Sequence, residues 1–215
     1  MQIFDNVVNI VRDDLKAAIE NGSKISIVAS CFSIYAYQEL KKQLDSVDEC
    51  RFIFTSPTFV TEKAEKQKRE FYIPRLNREN SLYGTEFELK LRNEMTQKSI
   101  AKECAEWIRK KAKFRSNTTD EGMIGFATIT NKEKQVVYLP LNGFTTIDIG
   151  CERGNNRYNM VNKFDEVTST TPYIKLFETL WNDKEKLQDV TDVVIENITA
   201  AYNENPPEFI YFMTL

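Results

Sequence analysis

Hydrophobic and polar positions follow two different periods along this chain, and each change of period marks a boundary. Residues 3–20 place Phe4, Val7, Val8, Val11, Leu15, Ala18 and Ile19 at helical spacing. That spacing predicts a helix with one buried face, ended by Asn21-Gly22. Lys24 to Ala29 reads KISIVA, a strand, and Ser33 stands where an N-cap would open a helix over 34–44. A second strand follows from Arg51 to Thr55. Strand, helix and strand joined by short links imply two parallel neighbours and a right-handed crossover. The chain therefore opens as an α/β unit.

Between Pro57 and Leu82 the periodicity disappears and charge dominates, so 57–82 is expected to be an irregular surface insertion. Thr85 begins a capping box with Glu88 three residues on. Phe87, Leu91 and Met95 continue one apolar stripe and Ile100, Cys104, Trp107 and Ile108 another, which fits one long helix or two in tandem. Lys113 to Ser116 predicts a short strand. The runs 123–129 and 135–141 flank Asn131-Lys132-Glu133-Lys134 as a hairpin would, and 145–149 predicts one more strand. Thr171-Pro172 marks a helix start whose buried face is Tyr173, Leu176, Phe177, Leu180 and Trp181. Asn182 is expected to cap a last helix carrying Leu187, Val190, Val194, Ile198 and Ala201. On this reading 1–168 form the α/β domain and 169–215 supply C-terminal helices. The apolar, aromatic ending from Glu208 to Leu215 makes a poor natural terminus, so a longer parent protein is expected.

Composition narrows the class. An apolar fraction of 41% can build a core, and 12% aromatic residues argue against disorder. No apolar run approaches the roughly 20 residues that a bilayer requires. Cys31, Cys50, Cys104 and Cys151 are scattered without a CxxC pair, as expected for thiols in a reducing compartment, and cytoplasm is the expectation. The sequons at Asn117 and Asn197 then carry no glycan. A net charge of −3 gives no global field that would attract nucleic acid. Its distribution is less even. Arg109, Lys110, Lys111, Lys113 and Arg115 follow one another without an acid, while Lys63 to Arg78 holds six cations diluted by two glutamates. Cations at a helix C-terminus also complement its dipole, so the first cluster has a structural explanation beside the functional one.

The chemistry available is limited by one absence: the chain contains no histidine. Ser-His-Asp and Cys-His arrangements are excluded for want of an imidazole base. The cysteine spacing suggests no zinc site, and neither GxxxxGK[ST] nor GxGxxG occurs. Carboxylate–metal chemistry stays open through Glu88-Leu89-Lys90, whose ExK spacing could hold a cation while the lysine supports an attacking water. Glu88 has a competing role in the capping box.

The stretches ISIVASCFSIYAYQELKKQL, RFIFTS and GMIGFATITNKEKQVVYLPLNGFTTIDIGCERGNNRYNMVNK resemble the two halves of a phospholipase D-like domain. With EFYIPRLNRENSLYGTEFELKLRNE and ENPPEFIYFMTL included, nearly the whole chain is similar to the N-terminal phospholipase D-like module of bacterial Snf-type superfamily-two helicases. The resemblance implies a mixed sheet flanked by helices, with an ATPase motor following. It also implies a histidine nucleophile and a lysine two residues on, but those positions fall on Gly125 and Ala127. Among the polar positions that hold phosphate, Asn142 matches the family's asparagine and Thr145 or Thr146 the hydroxyl that follows it, while Asn155, Asn156 and Asn159 match the later positions more loosely. For Asn142, Asn155 and Asn156 ordinary turn chemistry is the competing explanation, and for Arg153 and Lys163 it is a solvated charge. The implied function is a non-catalytic accessory domain without a cofactor. It would bind DNA, with Arg109, Lys110, Lys111, Lys113 and Arg115 on the backbone, or dock a second copy or another subunit. A metal-dependent nuclease centred on Glu88 and Lys90 is the alternative.

Overall fold

The computed structural model of the chain describes residues 1–57, 86–152 and 160–203, and side chains within these except at 86–96 and 200–203. Its frame is the strand–helix–strand unit expected near the N-terminus. Strand β2 (Lys24–Ala29) is buried from Ile25 onward, as befits a central strand covered on both faces. Helix α2 (Ile34–Leu44) is opened by Ser33, whose hydroxyl accepts from the Tyr35 amide, and it buries Tyr37, Leu40 and Leu44. Those three residues lie on one face of the helix, at spacings of three and four. Strand β3 (Glu49–Phe54) lies parallel to β2, with Ile27 beside Phe52.

One helix rather than two follows the undescribed stretch: α3 (Glu86–Lys111) runs unbroken into β4 (Ala112–Asn117), which extends the parallel set beside β3. The expected hairpin forms from β5 (Phe126–Thr130) and β6 (Gln135–Leu139), and β5 pairs antiparallel with β2. Three short strands complete an eight-stranded mixed sheet. β1 (Gln2–Phe4) pairs with β7 (Val161–Phe164), and β8 (Leu187–Asp189) pairs with β4. The order is β1-β7-β6-β5-β2-β3-β4-β8. The chain is thus an α/β protein with helices on both faces of its sheet.

Four expectations need correction. The helix predicted over 3–20 is β1, a loop, and α1 (Val11–Ala18). The Asp5 carboxylate accepts from the amides of Val7, Val8 and Asn9, and Asn6 sits at φ 54°, so side-chain capping at 5–6 outcompetes helix formation. Residues 145–149 form a turn rather than a strand. The helix predicted from Thr171-Pro172 is α4 (Val167–Asn182), with Pro172 inside it. Pro172 and Thr168 are both exposed, so water can replace the bond proline cannot donate. Asn182 closes α4, its side chain donating to the Glu178 carbonyl. It does not open the last helix: α5 (Thr191–Asn203) is capped instead by Asp189, which accepts from the Thr191 amide.

Helices α1, α2, α3 and α5 pack on one face of the sheet, where Ile25, Ile27, Phe52, Phe114 and Tyr138 meet Val11, Leu40, Ile108 and Val194. Each such large apolar side chain contributes about 1.5–3 kcal/mol on burial. Helix α4 alone, among the described residues, packs on the other face, over Val28, Ile53 and Phe126. Residue 168 lies in its first turn, and β8, from the C-terminal segment, belongs to the same sheet.

Candidate functional site

Of the polar residues singled out from sequence, Asn142, Thr145 and Thr146 lie in the segment over the end of β2 and the beginning of β5, the edge at which open α/β sheets usually bind ligands. Beyond Ala29 the chain turns through Ser30 and Cys31 toward α2. The segment 139–150 folds over this end: the Asn142 carbonyl accepts from both the amide (2.8 Å) and the hydroxyl (2.7 Å) of Ser30. Phe144 bridges to Phe32.

Gly125 stands at this junction, immediately before β5. Its carbonyl accepts from the Leu141 amide at 2.9 Å, and a β-carbon added to it would fall onto the Leu141 carbonyl oxygen. The obstacle is backbone, which cannot swing aside as a flexible side chain would. The position matched to a nucleophile therefore has no room for any side chain. Ala127, matched to the lysine, is buried with Leu15, Ile19 and Leu44 in the core beneath α1 and α2. An ammonium there would stand among hydrocarbon, at a cost of several kcal/mol.

Of the groups expected to hold phosphate, the Thr145 hydroxyl is already engaged. Thr145 and Asp148 form a capping box for the turn 145–150: the Thr145 hydroxyl lies 2.5 Å from the Asp148 carboxylate and accepts from the Asp148 amide at 3.2 Å. Burial raises the Asp148 carboxyl above its ordinary value, opposed by hydrogen bonds from the Thr145 hydroxyl and the backbone amides of Gly143 and Thr145. Thr146 is buried, and its carbonyl receives the amides of Cys151 and Glu152. The Asn142 side chain is exposed. Asn155, Asn156, Asn159 and Arg153 lie outside the described residues. The turn is fastened from the N-terminus by Asn6, which donates to the Asp148 carbonyl and accepts from the Val11 amide.

Cys31 is an exposed residue of this edge whose sulfur is partly covered beside Ser30, Gly143 and Asp148. Burial raises its pKa first of all, and the nearby Asp148 adds to the rise, the reverse of what activates a nucleophile. Cys50 is pushed up to about 12 by complete burial and serves as a packing group. Among the described residues, no group of three or more Cys, Asp or Glu side chains is placed to hold a metal ion. Glu88 and Lys90 belong to α3, but their side chains are outside the described set, as are Lys63 to Arg78.

The basic cluster divides in two. Lys111 donates to the Val47 carbonyl at 2.8 Å, and the Arg115 guanidinium lies over the Trp181 ring at 4.4 Å while bonding the Trp181 carbonyl. Those two hold the fold together. Arg109, Lys110 and Lys113 remain exposed where α3 passes into β4. This corner is at the start of the parallel strands, so about six residues of strand, roughly 20 Å, separate it from the Asn142 turn. The two sets of residues proposed from sequence do not form one site.

Sequence reading passed over the most elaborate charged group. Arg51 of β3 reaches Glu178 of α4 with both terminal nitrogens, at 3.1 and 2.5 Å, over the rings of Phe177 and Trp181. The signal was present in the alternation of Arg51-Phe52-Ile53-Phe54, which turns Arg51 away from the Phe52 face, and in Phe177 and Trp181 one turn apart. No known family's sequence profile matches the chain, and no curated protein is significantly similar to it. No helix of the described residues is long and apolar enough to cross a membrane.

Proposed function

We propose that the chain is a non-catalytic, phospholipase D-like accessory domain of a cytoplasmic bacterial helicase, and that it holds a nucleic-acid backbone through Arg109, Lys110 and Lys113. The observation that carries the non-catalytic part is the closed backbone around Gly125, supported by the apolar surroundings of Ala127. The binding part rests on three exposed cations at one corner, none joined in a salt bridge to a described acid. Three phosphate contacts would steepen the salt dependence of binding by roughly three units of log affinity per log salt. A gel-shift titration from low salt upward, with duplex and single-stranded DNA, tests this. Binding weakened on combining R109A, K110A and K113A, with a shallower salt slope, is the expected outcome. No binding at the lowest salt, or binding indifferent to those changes, overturns it.

A second use, docking a second copy or another subunit, is favoured by a separate observation. Five exposed apolar side chains, Met1, Ile3, Val7, Val8 and Met160, lie along the β1 edge of the sheet or in the loop just after it. Light scattering over a range of concentrations tests self-association, and a strict monomer would remove the dimer version.

A further inference from the structure

Helix α4 joins β7, next to one edge of the sheet, to β8, at the other edge, and must cross the strands between them. Its side chains record the crossing in order. Thr170 meets Gln135 of β6, Tyr173 meets Phe126 of β5, Phe177 and Glu178 meet Arg51 of β3, and Trp181 meets Arg115 of β4. Only Thr170, Phe177 and Trp181 of the helix are buried. The floor beneath is mixed, with Ser26 and Thr128 buried beside Val28, Ile53 and Phe126. Such a floor loses less than a dry one would when water returns to it.

From this we infer that α4 is a releasable strap, latched to the sheet by Arg51–Glu178 and able to lift while the helices of the opposite face stay packed. The latch is a bidentate, charge-assisted pair at the edge of solvent, with Arg51 at 15% and Glu178 at 46% exposure. Lys24 of β2 and Glu49 of β3 also face it, one cation and one anion that nearly cancel. Lys113, opposite Arg51 on β4, adds a further positive charge. Removing the Glu178 charge leaves the Phe177–Trp181 contacts intact and frees the latch alone.

Hydrogen exchange followed by mass spectrometry reads such local opening directly, because each segment exchanges at a rate set by its own opening equilibrium. In the full chain, α4 amides from Phe177 to Asn182 should exchange at least tenfold faster than those of α2 from Tyr37 to Leu44. E178Q should raise the α4 rate about fivefold further and leave α2 unchanged, the scale expected of a partly exposed pair. R51M should do the same, which guards against an effect peculiar to the glutamine. Equal protection of α4 and α2, or substitutions that speed both segments alike, would show that α4 opens only with the whole fold and would overturn the strap.

Discussion

The two faces of this sheet are made from the same strands but held by different forces. On the face under α1, α2, α3 and α5, Phe52, Phe54 and Phe114 pack with Phe32 in one aromatic cluster at centroid distances of 4.8 to 5.8 Å. On the α4 face the alternate residues of the same strands are Arg51, Ile53, Lys113 and Arg115, of which Arg51 and Arg115 are joined to the helix by an ion pair and the rings of Phe177 and Trp181. Alternation in a strand is usually read as core against solvent. Here it separates an apolar interface from one that mixes apolar, polar and charged groups, and both are covered. A helix over an apolar interface is expected to leave only when the fold is lost, whereas the polar and charged groups of a mixed one can take water as an alternative partner.

The sharpest way to break this comparison is to delete one aromatic ring from each face. Phe52→Ala should cost about 3–5 kcal/mol in urea denaturation, because its neighbours are rings that cannot close around the cavity. Phe177→Ala, equally buried, should cost less, about 1–3 kcal/mol, since α4 can settle onto a partly polar floor. Equal losses would mean that the two faces are alike. Gly125→Ala comes next: it forces the Leu141 backbone away from β5 and should cost roughly 2 kcal/mol. A neutral result in the same denaturation series would remove the steric argument on which the closed site rests.

The smallest effect concerns pH. The Arg51 hydrogen bond holds the Glu178 carboxyl below its ordinary value of 4.5, against a weaker opposing effect of burial. A carboxyl lowered in the folded state contributes stability that is fully present above that ordinary value and is lost as pH falls through the folded one. The wild-type chain should therefore lose α4 protection below about pH 4.5 more steeply than E178Q does, with α2 as the internal reference. Parallel acid profiles for the two proteins would mean that Glu178 does not carry the latch.

Much of the fold was legible because burial leaves a period. β2, β3, α2, the second half of α3 and the β5–β6 hairpin each carry enough residues to display it. The strands that escaped notice, β1, β7 and β8, have only three or four residues and owe their existence to distant partners. The first helix was overextended because Val7 and Val8 fit a helical stripe, whereas the carboxylate of Asp5 decides the backbone there. In the candidate site, Thr145-x-x-Asp148 had the spacing of a capping box and could have been read as one. No local pattern joins Arg51 to Glu178, 127 positions apart. The division of the basic cluster into structural and exposed members likewise depends on Val47 and Trp181, which only the folded chain brings near.

The pairing of β1 with β7 has a consequence for how the protein is made. During synthesis Lys163, the partner of Gln2, is added about 160 residues after it. At ordinary elongation rates that is a wait of roughly 10–30 s. Throughout it, Phe4, which is buried once β1 joins the sheet, has no edge to pack against, and a chaperone that covers apolar segments would find it exposed.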